Sequence, residues 1–340
     1  MVRRLLAGAL SLLLLSTAGA QAGPGARIRI RISVENPPTH FQAQVARTFA
    51  DRVAARLGDR VSVEFYDGAR LFRDTDVIGA VSRGAVEIAL PGIWQFDRMV
   101  PDTAALMLPS AYGLSIEQAR RLADGPLGAA LNARIEAGTR GKVLGRWLDL
   151  GHAHLFSLDR RLRGIDDFRG KRVRVAGGRG NEERIRTLGA VPVSIPSPDL
   201  DSYLRRRLVD GILTTYETVD SAGMDSAGIA AVYEDAEYYP FYVPIAGEAF
   251  WNGLDPDIRR EIQAAWEDLL PAARETALRA QEAAKARLAG RGLRIRVPSK
   301  AERAAVRDSL LRTEEDAARR LGVSGEILAL LREETRGAGP

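Results

Sequence analysis

The chain has 340 residues with 49 basic and 44 acidic side chains, a net charge of +5, an apolar fraction of 46% and no cysteine. These values describe a globular protein long enough for two domains, and they exclude a disulfide framework, thiol catalysis and lipid attachment through cysteine. Arginines dispersed among acids, as in Arg259-Arg260-Glu261, argue against a nucleic-acid partner.

Arg3 and Arg4 precede an apolar run from Leu5 to Leu15, and A-x-A patterns end at Ala20 and Ala22. That order predicts a cleaved secretory signal over residues 1–22, because the run is too short to cross a bilayer. Nothing later is long and apolar enough to insert. Arg27 to Val34 alternates strictly and predicts a strand. A helix is expected over Phe41–Leu57 with Val45, Phe49 and Val53 on one face. Strand Val61–Phe65, helix Asp74–Arg83 and strand Val86–Leu90 follow, a β-α-β-α-β order that predicts a parallel sheet with crossover helices. Ser115 and Gln118 form a capping box at a helix start, and Val143–Leu148 reads as a strand.

A second α/β unit comprises strand Arg172–Ala176, a glycine turn over Gly177–Gly180, helix Glu182–Leu188 and strand Val191–Ile195. Helix Leu200–Arg207 and strand Gly211–Thr215 complete it. Asp255 and Pro256 then open a helical stretch to about Ala289 that Pro271 is expected to kink. Ser299 and Glu302 form a second capping box, with helix to about Leu321. The fold class expected is α/β, with two lobes and a long C-terminal helix. Lobe I is assigned 27–150 plus about 240–280, lobe II 151–239 plus about 281–322, and a tail 323–340.

His152 and His154 alternate on a strand, yet two imidazoles without further ligands predict no metal site. G-x-S-x-G and H-E-x-x-H are both missing, so neither an enzyme nor a cofactor is expected. Arg174 stands just before the glycine turn and its helix, at the carboxyl end of a strand. Open α/β sheets bind ligands there, helix N-termini favour anions, and a guanidinium grips a carboxylate with two hydrogen bonds. The pattern alone also fits Arg172 and Arg174 as solvated edge residues.

Several segments share their order and spacing with one family. They include Leu71-Phe72-Arg73-Asp74, Gly84-Ala85-Val86-Glu87-Ile88, Phe168-Arg169-Gly170-Lys171-Arg172-Val173-Arg174-Val175, Leu188-Gly189-Ala190-Val191-Pro192-Val193, Leu208-Val209-Asp210-Gly211 and Phe250-Trp251-Asn252-Gly253-Leu254. From about Arg27 to Gly322 the chain resembles the DctP-like substrate-binding proteins of tripartite ATP-independent periplasmic (TRAP) transporters. The resemblance implies a periplasmic-binding-protein-like fold with hinge strands, periplasmic location, and an arginine, here Arg174, that holds a substrate carboxylate. It also implies two membrane partners, a small DctQ-like and a large DctM-like subunit. Departures are visible. A second arginine of the family is replaced at Gly151-His152-Ala153-His154, with His154 the candidate substitute. The segment after V-D-G reads Ile212-Leu213-Thr214-Thr215. Trp94 and Tyr216, with Thr214 and Thr215, are the remaining candidate contacts, although core packing accounts equally for the two aromatics. A monocarboxylate with an apolar or aromatic body is the expected solute. A periplasmic sensor subunit or a secreted enzyme on the same scaffold are the alternatives.

Overall fold

The structure, a computed structural model, describes residues 27–336, so the expected signal over 1–22 lies outside the described residues. The elements begin with β1 (Ile28–Ser33), α1 (Phe41–Leu57), β2 (Val61–Tyr66), α2 (Asp74–Ser82) and β3 (Ile88–Ala89). Then come α3 (Ile116–Asp124), α4 (Pro126–Thr139), β4 (Gly141–Val143), β5 (Leu148–Asp149) and β6 (Ala153–Ser157). The second unit holds β7 (Arg172–Val175), α5 (Arg179–Thr187), β8 (Val191–Ser194), α6 (Leu200–Arg205), β9 (Gly211–Thr214) and α7 (Tyr216–Ser221). After them run β10 (Ala231–Tyr238), β11 (Phe241–Tyr242), β12 (Ile245–Gly247), α8 (Glu248–Asn252), α9 (Pro256–Glu267) and α10 (Leu270–Gly290). The described chain closes with β13 (Arg294–Arg296), α11 (Lys300–Leu311), α12 (Glu314–Leu321) and α13 (Gly325–Glu334).

Two sheets organise two lobes. Lobe I is built on the order β2-β1-β3-β12-β4, and lobe II on β13-β10-β6-β9-β7-β8. In lobe I, β1 runs parallel to β2 and β3, bringing Ile30 beside Val63 and Ile32 beside Ile88. Val45, Phe49 and Val53 of α1 are buried, as their spacing predicts. In lobe II, β7 lies parallel to β8 and β9, while β6 runs antiparallel to β9 and β10. Both capping boxes form.

The lobes are joined where β5 leads into β6 and where β10 returns to β12. Between these crossings β5 and β11 pair antiparallel, with Asp149 opposite Phe241. Helix α10 packs against α7 of lobe II and against α1 and β5 of lobe I. It therefore spans both lobes beside the crossings.

Four expectations are corrected. The strand expected over Val143–Leu148 is two short pieces, β4 and β5. The Leu144 amide donates instead to the Pro244 carbonyl, and the chain turns at Gly145, where a Cβ would fall 2.3 Å from Glu267 Oε1. Pro271 does not kink a continuous helix. The helix ends at Glu267, and Pro271 sits in the first turn of α10, where the missing N–H costs nothing. The helix expected to run from the second capping box to Leu321 breaks at Arg312 and Thr313. Finally, the segment expected as a tail forms α13, with Ile327, Leu328 and Leu331 buried against α4 and neighbouring turns.

Candidate functional site

A cavity opens between the lobes. It lies at the carboxyl ends of β1, β7 and β9 and at the crossings, where an open α/β sheet places its ligands. Arg174, Trp94, Thr214 and Thr215 line it, joined by Glu35, Asn36, Asp74, Asn181, Ser197, Thr218, Tyr238 and Tyr242.

Arg174 is 2% exposed on β7, between Val193 of β8 and Ile212 of β9. Its Nε donates to the Ile195 carbonyl at 2.9 Å. Neither terminal nitrogen has a hydrogen-bond partner among the described residues, and the side chain faces the cavity. Burial lowers the guanidinium to about 10, against the opposing field of Glu35. The side chain is thus aimed by its Nε anchor and left with a free fork. The solvated-edge reading does not apply to it, although it does to Arg172, which pairs with Asp210 at 3.0 Å away from the cavity.

Across the cavity stand two acids. Glu35 follows the end of β1, and its Oε1 accepts from the Asp74 amide at 3.2 Å. Asp74 opens α2, and its Oδ2 accepts from the Gly92 amide at 3.4 Å. Burial raises Glu35 above the usual carboxylate range, and burial together with the Glu35 charge raises Asp74 well above it. Two carboxyls buried in one site both resist ionisation. Asn36 is held by the Tyr242 hydroxyl at 2.6 Å and by Gln42 at 3.2 Å.

Trp94 supplies the apolar wall, packed on Tyr242 at 5.7 Å between ring centroids. Its Nε1 is buried with no hydrogen-bond partner among the described residues. The indole lies against Gly92, where a Cβ would fall 2.2 Å away. Thr214 ends β9, and the Thr215 hydroxyl caps α7 by accepting from the Thr218 amide.

Tyr216 and His154 lie outside the cavity lining. The Tyr216 ring packs inside lobe II against His154 at 5.2 Å and Phe156 at 5.4 Å. His154 Nδ1 accepts from the Ala236 amide at 3.1 Å and lies 3.6 Å from Asp235. It faces a buried network with Asp235 and not the cavity lining. The α5 N-terminus is also taken by the protein itself: Asp97 of lobe I accepts from the Gly180 amide at 2.9 Å. Burial raises that carboxyl to about 6. A group raised in the folded state stabilises below its unfolded pKa and loses that contribution as pH rises through the folded value. Urea unfolding should accordingly find Asp97→Asn gaining on the wild type by on the order of 3 kcal/mol between pH 4 and pH 7.5. A constant difference across that range would refute the assignment.

The lobes meet on several sides of the cavity. Arg73 pairs with Asp199 at 2.7 Å, Gln95 donates to the Ala176 carbonyl at 2.9 Å, and His40 Nε2 lies 2.9 Å from Glu217. Gly178 (φ +86°) approaches most closely, since a Cβ there would sit 2.7 Å from the Trp94 carbonyl. Gly170 (φ +68°) has no neighbour within 4 Å of its would-be Cβ. Calorimetry should show Gly178→Ala weakening solute affinity about tenfold or more, or 1.4 kcal/mol. Gly170→Ala suffers backbone strain alone and should keep its affinity.

A family model described as bacterial extracellular solute-binding protein, family 7 (DctP) matches residues 32–319. The chain belongs to this family. It is a solute-binding protein with the family's two-lobed fold. The C4-dicarboxylate-binding periplasmic protein DctP of Rhodobacter capsulatus is 27% identical over 262 residues, covering 76% of each chain. Among solved structures, a TRAP periplasmic solute-binding protein of Shewanella oneidensis with bound succinate has a TM-score of 0.82 at 20% identity, covering 92% of this chain and 100% of that one. The sugar-acid-binding DctP-type protein of Advenella mimigardefordensis, in complex with galactonate, has a TM-score of 0.85 at 19% identity, covering 92% and 99%.

The acids Glu35 and Asp74 were not singled out from sequence. The signal for Glu35 was available, since it directly follows the first strand of a parallel sheet, where ligands gather. Asp74 stood inside a quoted motif and read as a helix start.

Proposed function

We propose that this protein captures a small hydroxylated monocarboxylate in the periplasm and passes it to a DctQ-like and a DctM-like membrane subunit of a TRAP transporter. Export through cleavage within residues 1–22, absence of catalysis and independence from cofactors belong to the same reading. The observation that carries it is Arg174, buried, anchored through Nε and holding two unpartnered terminal nitrogens toward the cavity. A carboxylate accepts two parallel hydrogen bonds from that fork.

Glu35 and Asp74 supply the rest of the specificity. A second carboxylate beside them would add like charge in a dry site, whereas a hydroxyl donates to either acid. Trp94 and Tyr242 offer a carbon skeleton two apolar faces, and the buried Trp94 N–H offers one more donor. Arg174, Trp94, Thr214, Thr215, Glu35, Asp74 and Asn181 are the proposed contacts.

A thermal-shift panel tests the class with galactonate, glucuronate, succinate and galactose. A true ligand at about a hundred times its Kd adds roughly 2.7 kcal/mol of stability. Shifts are expected with the hydroxylated monoacids alone. A succinate shift of equal size would remove the role given to the two acids, and a galactose shift would remove the carboxylate.

A further inference from the structure

The strands that carry the solute cavity at one end carry a second concavity at the other. Arg174 and Thr214 face the cavity from the carboxyl ends of β7 and β9, whereas Arg172 and Asp210 stand at the opposite ends of the same strands. This groove is open to solvent. Three of its cations are matched by its three carboxylates: Arg172 with Asp210 at 3.0 Å, Arg161 with Asp159 at 3.1 Å and Arg163 with Asp167 at 3.8 Å. Three more, Lys171, Arg207 and Arg294, line it with no carboxylate within 4 Å among the described residues. Six cations against three acids leave the lining at +3. The matched pairs are themselves open to exchange, since Arg161 and Arg163 are 89% and 84% exposed and exposed pairs contribute little.

We infer that this groove is a docking surface for an acidic, partly apolar segment of a polypeptide partner. Its shape and charge distribution select that class. The three cations without a carboxylate stand on separate segments, Lys171 before β7, Arg207 after α6 and Arg294 on β13 at the far edge of the sheet, with Arg294 donating to the Arg160 carbonyl at 3.2 Å, whereas one phosphate needs donors converging on a point. A planar bilayer cannot enter a concavity. An extended chain with carboxylates at intervals meets the cations in turn. Leu158, half-buried on the wall, and Val191, half exposed on the adjoining edge strand β8, give its apolar residues contacts. Charge complementarity of this kind raises association rates and fixes register. The surface lies away from the cavity, so the inference stands whichever solute the protein binds.

The probe is a fluorescein-labelled peptide of alternating glutamate and leucine, read by fluorescence anisotropy at low salt on the full exported chain. The wild type should bind, with affinity falling as salt rises. Lys171→Glu, Arg207→Glu and Arg294→Glu together should weaken it about a hundredfold, as like charges replace complementary ones. Arg52→Glu, Arg259→Glu and Arg260→Glu on lobe I impose the same change in net charge and should leave it within about threefold. If the glutamate variant misfolds, glutamine at the same three groove positions gives a milder test, expected to weaken binding about tenfold. No binding by the wild type overturns the inference. Equal losses in the groove and control variants also overturn it, by reducing the effect to net charge. Binding to phosphatidylglycerol vesicles that the groove variant abolishes, with no peptide binding, assigns the surface to lipid and overturns it as well.

Discussion

Arg174→Ala should weaken solute binding by about 2–5 kcal/mol, roughly thirtyfold to several-thousandfold in Kd, while the unliganded protein becomes no less stable. The two halves of that expectation share one cause. In the unliganded protein the side chain is buried with no protein partner on its terminal nitrogens among the described residues, and burial lowers it to about 10 from its usual 12.5. A cation lowered in this way binds its proton more weakly in the folded than in the unfolded state. The corresponding penalty, about 3 kcal/mol, is present in full below pH 10 and fades only as the group deprotonates. Removing the side chain relieves that penalty and opens a small cavity of opposite sign. A ligand carboxylate relieves it by pairing, which is why the affinity depends on this residue. Calorimetric titration with the best solute of the panel, beside urea unfolding without solute, separates the outcomes. Lost affinity with a collapse of unliganded stability would make Arg174 a structural residue. Arg174→Lys should fall between, because lysine keeps the charge and loses both the fork and the Nε anchor.

The strands of both sheets that hold the site were legible because their signals are local. Alternation in R-I-R-I-R-I-S-V and in R-V-R-V reports a strand whatever surrounds it, and helix α1 shows its buried face by spacing alone. Arg174 was legible for a related reason, since its position relative to one strand and one turn already places it at a sheet's carboxyl end. The acid pair was not. Glu35 and Asp74 are 39 positions apart, and the common burial that raises both depends on a meeting that no local pattern records. Asp97 took the α5 N-terminus from any ligand for the same reason, reaching Gly180 from 83 positions away in the other lobe. His154 and Tyr216 stand near the cavity in sequence terms, yet strand alternation and the turn of α7 direct both into the lobe II interior. Strand β11 also escaped, and β5 was merged with β4 into one expected strand, since two residues offer no period to count.

Those two strands carry the second large effect. Asp149 of β5 is fully buried at the crossing between the lobes. Its Oδ2 accepts from Arg120 Nε at 2.5 Å and from the Tyr239 hydroxyl at 3.1 Å, while Oδ1 lies 3.3 Å from Arg274 Nε. Arg274 in turn donates to Asp124 at 2.5 and 2.8 Å and to the Trp147 carbonyl at 2.8 Å. One carboxylate thus ties α3, α10 and both crossing strands together. Burial raises it above the usual carboxylate range, and the two arginines oppose that shift without cancelling it. Asp149→Ala leaves two guanidinium groups without their central acceptor in a nearly dry site, at an expected loss of about 3–5 kcal/mol. For a chain of this size that is a fall of roughly 5–8 °C in Tm. Asp149→Asn keeps one acceptor oxygen for Arg120 and should lose less. The network sits where the lobes hinge, so the alanine variant should also bind solute more weakly although it touches no cavity residue. A variant that melts like the wild type would show that the arginines find other acceptors. The crossing would then be held by α10 and the β5–β11 pairing alone.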